Sequence, residues 1–155
     1  KEISQELIAE IFVQVQNEFR SSSHNYVKPI ASACKFVEIC KKNNLNLALI
    51  TSDIRNNAIE AIDKLNLKNK FDIVIGGDSN FGDKKNGNSA KYVCEFLNIN
   101  PSKVLSIGDA PADYIMAKNA NLKGSILVET GQIPIKELTL LTKYSVNSLD
   151  DVALG

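Results

Sequence analysis

Short apolar segments alternate with longer segments of helical periodicity along most of this 155-residue chain, and this alternation is the strongest constraint on its fold. The apolar segments, which are too short for typical helices, cover residues 45–50, 71–75, 103–107 and 125–128. Apolar residues at steps of three and four predict helices over residues 3–20, 29–44, 54–66, 89–98, 111–120 and 134–143. Strands that alternate with helices predict a parallel sheet covered by helices on both faces, a three-layer α/β/α or Rossmann-like fold.

Local signals at the segment ends refine these boundaries. Pro29 suits the first turn of a helix, and Asp53 and Ser89 are candidate N-caps of the helices that follow them. Two weaker segments complete the pattern, a short strand near 144–146 and a helical turn near 148–154. The polar break at residues 21–25 separates the first helix from the remainder of the chain.

Bulk composition argues against two broad classes of function. Lys plus Arg and Asp plus Glu each number 18, so the net charge is zero and no basic surface for nucleic acid is expected. No apolar run approaches the roughly 20 residues of a membrane-spanning helix. Cys34, Cys40 and Cys94 are odd in number and form no CxxC pair, which predicts buried free thiols and a reducing compartment such as the cytoplasm.

Acidic residues follow the strand at 103–107, at the edge where parallel α/β sheets bind their ligands. Residues 106–113 read SIGDAPAD, so Asp109 ends the strand and Asp113 lies in the first turn of the next helix. Two carboxylates at this spacing can converge on one hard cation, and Mg²⁺ prefers oxygen ligands. The structural alternative is that Asp113 favours the helix N-terminus and Asp109 caps a turn.

Two further positions could bind a phosphoryl group. Thr51, or else Ser52, follows the first strand, where a hydroxyl and backbone N–H groups can hold a phosphoryl oxygen. Lys84, or else Lys85, lies in the polar loop at residues 78–88 and could offset phosphate charge. The alternatives are an ordinary helix cap for the hydroxyl and a solvated loop lysine.

The order and spacing of these features resemble the haloacid dehalogenase (HAD) superfamily. LALITS at 47–52 is similar to its second motif, Lys84 matches the lysine of its third motif better than Lys85, and GDAPAD at 108–113 matches its fourth. LVETG at 127–131 is similar to the phosphoglycolate-phosphatase-like branch. Residues 3–20 resemble the last helix of that branch's helical cap. The resemblance thus implies a cap remnant over residues 1–25 and an HAD-like core domain over residues 26–155.

The chain departs from the family at the first motif, a DxD whose first Asp is the nucleophile. No two of its nine aspartates are separated by a single residue. In the family this motif follows the central strand, which lies between the strands that end here at Thr51 and Asp109. The resemblance therefore implies that the central strand is absent from these residues and comes from an N-terminal segment or a second chain. If nothing fills the gap, the flanking strands must pair directly or leave their edges to water.

The resemblance implies a Mg²⁺-dependent phosphomonoesterase that acts on a small phosphorylated metabolite through an aspartyl-phosphate. Thr51 and Ser52 would bind the phosphoryl group, Lys84 would neutralise its charge, and Asp109 and Asp113 would hold or position the metal. The chain alone is then expected to be inactive. Within the family a phosphomutase stays possible. The pair of candidate Mg²⁺ ligands argues against a dehalogenase, because dehalogenases of the family need no metal. The rival class is a non-catalytic HAD-like module for binding or assembly, which the absent nucleophile favours and the retained motifs disfavour.

Overall fold

The computed structural model describes residue 14 and residues 27–153, and this part of the chain has an α/β architecture. Its helices are α1 (Ala31–Lys42), α2 (Arg55–Lys64), α3 (Asn88–Phe96), α4 (Pro111–Asn119) and α5 (Ile135–Leu141). Its strands are β1 (Ala48–Ile50), β2 (Ile73–Ile75), β3 (Leu105–Gly108), β4 (Gly124–Val128) and β5 (Ser145–Val146). Single 3₁₀ turns cover Lys84–Asn86, Pro101–Lys103 and Leu149–Asp151. Apart from residue 14, the predicted helix at 3–20 and the cap remnant at 1–25 lie outside the described residues.

All strand pairs of the described chain are parallel, as the alternating pattern predicted. β1 pairs with β2, with Leu49 opposite Val74, and a second sheet has the order β3-β4-β5, with Ile107 opposite Ile126. β4 has a neighbour on each side, and its Leu127 is fully buried, as is Leu138 of α5. No helix in the described residues is long and apolar enough to span a bilayer.

Each of the helices α1–α4 is followed, two residues after its last residue, by an asparagine in the left-handed conformation. The φ angles of these asparagines, which the sequence follows each time with Leu or Ile, are 57° at Asn44, 58° at Asn66, 52° at Asn98 and 55° at Asn121. The N–H of the following residue donates back into the helix, as from Leu45 to the Cys40 carbonyl at 3.0 Å. Asparagine tolerates this conformation better than most residues, so it provides the helix stops that glycine usually provides.

Three of the predicted helix starts are wrong in detail. α1 begins at Ala31, so Pro29 precedes the helix. The N-cap residue of α2 is Ile54, and the Arg55 N–H donates to the carboxylate of Asp78, 2.8 Å away, from the loop after β2. Ser89 lies inside α3, where it is buried, and Gly87 is the N-cap. The group that caps α2 therefore comes from a loop 23 positions further along the chain, which local sequence patterns do not reveal.

β1 and β3 are not hydrogen-bonded to each other, and they belong to separate sheets. Between them lies an apolar cavity of about 390 Å³, here called the interstrand groove. Its walls come from β1, β3, α1, α3 and α4, and include Phe36, Val37, Leu49, Val93, Leu105, Ile107 and Met116. Leu105 and Ile107 are 50% and 38% exposed. The structure therefore has the gap that the family's sheet order implies, and the two flanking strands do not close it by direct pairing.

Asp72 connects the end of α1 to the start of both strands of the first sheet. Its carboxylate accepts from the Leu47 N–H at 2.7 Å and from Lys41 Nζ at 3.2 Å. Its own N–H donates to the Leu47 carbonyl at 2.8 Å. Partial burial alone would raise the pKa of the Asp72 carboxyl, but these hydrogen bonds and the Lys41 charge outweigh it and lower the pKa.

Replacing Asp72→Asn should lower the free energy of unfolding at pH 7 by about 1 kcal/mol, the order expected for a partly exposed, charge-assisted hydrogen bond. A carboxyl whose pKa is lowered on folding stabilises the fold above its unfolded pKa, near 4, and loses that contribution as the pH falls through the folded value. The difference between wild type and variant should therefore shrink below about pH 4 in urea titrations. Asp63→Asn, which removes the exposed pair with Lys68, is the control and should have little effect at either pH. An Asp72 effect that is independent of pH would contradict this assignment.

Candidate active site

A polar pocket opens at the carboxyl ends of β1 and β2, the edge at which the sequence predicted a ligand site. Its volume is about 340 Å³. The lining includes the predicted residues Thr51, Ser52, Lys84 and Lys85, together with Gly76, Gly77 and Phe81. Strand ends and the loop after β2 thus bring together side chains that are more than thirty positions apart in the sequence.

Thr51 and Ser52 occupy the turn after β1. The Thr51 N–H donates to the Ile75 carbonyl at 3.0 Å, which continues the pairing with β2. Its hydroxyl oxygen accepts from the Asp53 N–H at 3.1 Å, so it stabilises the turn before α2 and does not cap the helix itself. A hydroxyl that accepts one hydrogen bond still has its own proton to donate, and Thr51 lines the pocket where a phosphoryl oxygen would need a donor.

The structure distinguishes the two candidate lysines. Lys84 Nζ lies 2.6 Å from Asp113 Oδ1 and 3.3 Å from the Ile50 carbonyl oxygen, and its side chain is only 20% exposed. Lys85 is exposed; its carbonyl accepts from Asn119 Nδ2 at 2.8 Å, which fixes its backbone but not its ammonium group. The geometry favours Lys84 as the cation of the site.

Asp113 is a buried carboxylate with a donor on each oxygen. Oδ1 pairs with Lys84, and Oδ2 accepts from the Ala110 N–H at 3.1 Å. The side chain, in the first turn of α4, is 8% exposed. Its position therefore combines the structural role, at a helix N-terminus, with a contact to the candidate phosphate-binding lysine.

Asp109 has different neighbours from Asp113. It is half-buried between β3 and α4, and its carboxylate lies against Gly131 in the loop after β4: a Cβ added to Gly131 would lie 2.5 Å from Asp109 Oδ2. Among the described residues, no group of three or more His, Cys, Asp or Glu side chains is arranged to hold a metal. Convergence of Asp109 and Asp113 on one ion stays a prediction. Asp109 suits a Mg²⁺ ligand, because this ion often takes one or two carboxylates and keeps several waters.

Two contributors to the site were not foreseen from the sequence. The Ile50 carbonyl accepts from Lys84, and Phe81 lines the pocket from the loop that composition marked only as polar. No local signal identifies the carbonyl, since every strand end has one. Phe81 could have been noticed as the single large apolar residue of residues 78–88.

The chain belongs to the haloacid dehalogenase-like hydrolase family, whose model matches residues 1–127. It is 31% identical over 102 residues to a phosphoglycolate phosphatase of Aquifex aeolicus, covering 65% of this chain and 47% of that protein. It is 28% identical over 110 residues to a phosphorylated carbohydrates phosphatase of Thermotoga maritima, covering 64% of this chain and 51% of that protein. These relatives confirm the predicted resemblance to the phosphoglycolate-phosphatase-like branch, and the chain spans about half of their length.

Solved structures of the same fold support the architecture. A predicted phosphatase from Clostridium acetobutylicum superposes with a TM-score of 0.81 at 24% identity, over 96% of this chain and 69% of that one. A predicted phosphoglycolate phosphatase from Haemophilus somnus superposes with a TM-score of 0.82 at 18% identity, over 97% and 67%. The predicted HAD-like α/β fold is therefore confirmed.

The contact between Lys84 and Asp113 should be measurable as a coupling free energy. In a double-mutant cycle with Lys84→Met and Asp113→Asn, we expect a coupling of about 1–3 kcal/mol, because a poorly hydrated charge left alone is costly. The exposed pair of Lys35 and Asp150, whose side chains are 67% and 52% exposed at a distance of 2.8 Å, is the control and should give less than about 0.5 kcal/mol. Chemical denaturation of all variants gives both couplings, and equal values would refute a special role for the buried pair.

Proposed function

We propose that this chain is part of a Mg²⁺-dependent phosphomonoesterase that acts on a small phosphorylated metabolite. The observation that carries the proposal is the Lys84 ammonium group, oriented by Asp113 beside the pocket that Thr51 lines at the strand ends. A confined cation and a hydroxyl are the groups that recognition of a phosphoryl group requires. The names of the two relatives, a phosphoglycolate phosphatase and a phosphorylated carbohydrates phosphatase, point to the same class.

Each residue would have a distinct role in this reaction. Thr51, helped by Ser52, would donate hydrogen bonds to phosphoryl oxygens, and Lys84 would stabilise the negative charge that develops during transfer. Asp109 would hold the metal, and Asp113 would help to position it while orienting Lys84. When bound, Mg²⁺ would supply Lewis-acid stabilisation of the phosphoryl oxygens.

The nucleophile of this proposal is an Asp on a strand that occupies the interstrand groove. It would come from an N-terminal segment or a second chain, since no DxD occurs in these 155 residues. The groove supports this idea because it is apolar and lies between β1 and β3, each of which has a single strand neighbour among the described residues. A parallel strand inserted there would have its C-terminal end near Lys84 and Asp113, both of which border the groove.

A second candidate function is a non-catalytic binding or assembly module, and the absence of DxD from these residues favours it. The gene sequence on the 5′ side of the Lys1 codon separates the two. A strand followed by DxD would support the enzyme. A reading frame without one, with no partner chain that carries it, would support the module.

The cysteines bear on localisation. Cys34, Cys40 and Cys94 are free, and burial raises the pKa of the Cys40 and Cys94 thiols, which keeps them unreactive. The two buried thiols agree with the predicted buried free thiols, whereas Cys34 is half-buried. We propose a reducing, cytoplasmic location on this basis.

The activity test uses the intact protein, that is, this chain with the segment or partner that carries the nucleophile. We expect Mg²⁺-dependent release of phosphate from phosphate monoesters, and a fall of about 10²-fold or more in kcat/KM for Lys84→Met, the scale for losing an electrostatic stabiliser. Lys85→Met, a neighbouring and exposed lysine, should retain most of the activity. The 155-residue chain alone should release no phosphate above background. Metal-dependent turnover by the chain alone, or equal effects of the two lysines, would count against the proposal.

Occupation of the interstrand groove can be tested through stability. Leu105→Asn introduces an amide at the groove edge and, if a strand covers that edge in the intact protein, should cost at least about 2 kcal/mol of unfolding free energy. Leu140→Asn is the control, because Leu140 is 84% exposed on α5 and should change stability by less than about 0.5 kcal/mol. If the groove stays open to water, Leu105→Asn should cost no more than about 1 kcal/mol, the loss for a half-buried side chain, and the strand proposal fails.

A further inference from the structure

Phe81 is the aromatic wall of the candidate phosphate pocket. It lies in the loop between β2 and the 3₁₀ turn that carries Lys84, and both residues line the same cavity of about 340 Å³. The remaining lining is made mostly of small or polar residues, among them Ser52, Gly77 and Ser79. Phenylalanine rings bury most of their area in cores or interfaces, so a Phe ring on the wall of an open pocket calls for an explanation.

The backbone of Phe81 is held from several directions. Its carbonyl accepts from Asn86 Nδ2 at 2.7 Å, and its N–H donates to the Ser79 carbonyl at 2.8 Å. The next residue, Gly82, has a φ of 73°, so the chain turns back immediately after the ring. These contacts fix the point from which the side chain projects.

The ring itself packs against a neighbour that is open to solvent. Its centroid is 4.9 Å from that of Tyr92, at an interplanar angle of 38°, and the Tyr92 ring is followed by that of Phe96 at 6.2 Å. Tyr92 is 40% exposed and Phe96 is 57% exposed. Phe81 is therefore not part of a sealed core, and packing alone does not explain why a ring is held at the pocket wall.

We propose that Phe81 is a specificity-determining residue whose ring packs against the organic group of the substrate. This inference rests on the proposed function. If Lys84 binds the phosphate and the Phe81 ring packs against the organic group, the site would favour esters whose organic group presents a carbon-rich ring face. Esters of very small organic groups would bind less well. Ring faces gain both apolar burial and favourable stacking geometry from such a contact.

Binding of two phosphonates to the intact protein tests this directly. Phenylphosphonate and methylphosphonate share the anionic head, differ in the ring, and contain a P–C bond that phosphate-ester hydrolysis does not cleave. Calorimetry should give wild-type protein an affinity for phenylphosphonate about 3- to 10-fold higher than for methylphosphonate. Phe81→Ala should remove most of that preference by weakening phenylphosphonate binding, with methylphosphonate affinity almost unchanged.

Phe96→Ala is the matched control, since Phe96 belongs to the same aromatic row but does not line the pocket. It should keep the wild-type preference. Phe81→Leu fills the space without offering a flat face and should show a reduced preference, which decides the question if Phe81→Ala does not fold. The inference is overturned if the wild type has no preference, if the Phe81 variants retain it, or if Phe96→Ala loses it equally.

This experiment separates the inference from the proposed function, because it requires no turnover. A protein that prefers phenylphosphonate through Phe81 but releases no phosphate from any ester would refute the phosphatase and leave the ring contact standing. A protein that hydrolyses esters while its Phe81 variants bind both phosphonates like the wild type would support the phosphatase and refute the ring contact.

Discussion

Lys84 makes polar contacts at the strand ends of both separate sheets, and the geometry of the candidate site depends on them. Its ammonium group takes one acceptor from the end of β1, the Ile50 carbonyl, and one from the start of α4, the Asp113 carboxylate. β1 belongs to one sheet, and α4 follows β3 of the other. Because the Lys84 side chain is only 20% exposed, its charge needs such partners. Holding both acceptors within reach of one ammonium group limits the distance between the end of β1 and the start of α4 at the mouth of the groove.

The same lysine has capacity left for a ligand. A lysine ammonium has three N–H donors, and the described residues give it two acceptors, which leaves one donor for an incoming oxygen. Asp113 holds the ammonium group while its second oxygen is anchored to the Ala110 N–H, so the pair is rigid before a ligand arrives. Under the proposed function, a charge preorganised in this way would need little reorganisation when a phosphoryl group binds. The groove and the pocket meet at Lys84, which lines both.

Local patterns in the sequence predicted the helices and strands well but predicted poorly which of them contact one another. Period and composition located every described strand and α-helix, even β3, whose apolar Leu105 and Ile107 line the open groove while Ser106 is buried. The left-handed asparagines after α1–α4 are also a local signal, because asparagine is favourable just beyond the end of a helix. The cap of α2 by Asp78 and the choice of Lys84 over Lys85 depend instead on which loop folds against which strand. Neighbouring lysines are equivalent in composition, and only the 3₁₀ turn at Lys84–Asn86 directs one of them inward.

The glycines beside the two motif aspartates show how backbone shape sets the site chemistry. The last residue of β3, Gly108, lies so close to the Asp113 carboxyl group that a Cβ there would overlap it. Gly131, after β4, is in the same relation to Asp109, where a Cβ would lie 2.5 Å from Oδ2. Each carboxylate thus occupies the space that a side chain would take at the glycine. In the sequence GDAPAD, the final aspartate, Asp113, therefore requires a glycine at position 108. Asp113 reaches Lys84 because Gly108 has no side chain to occupy the space of its carboxylate.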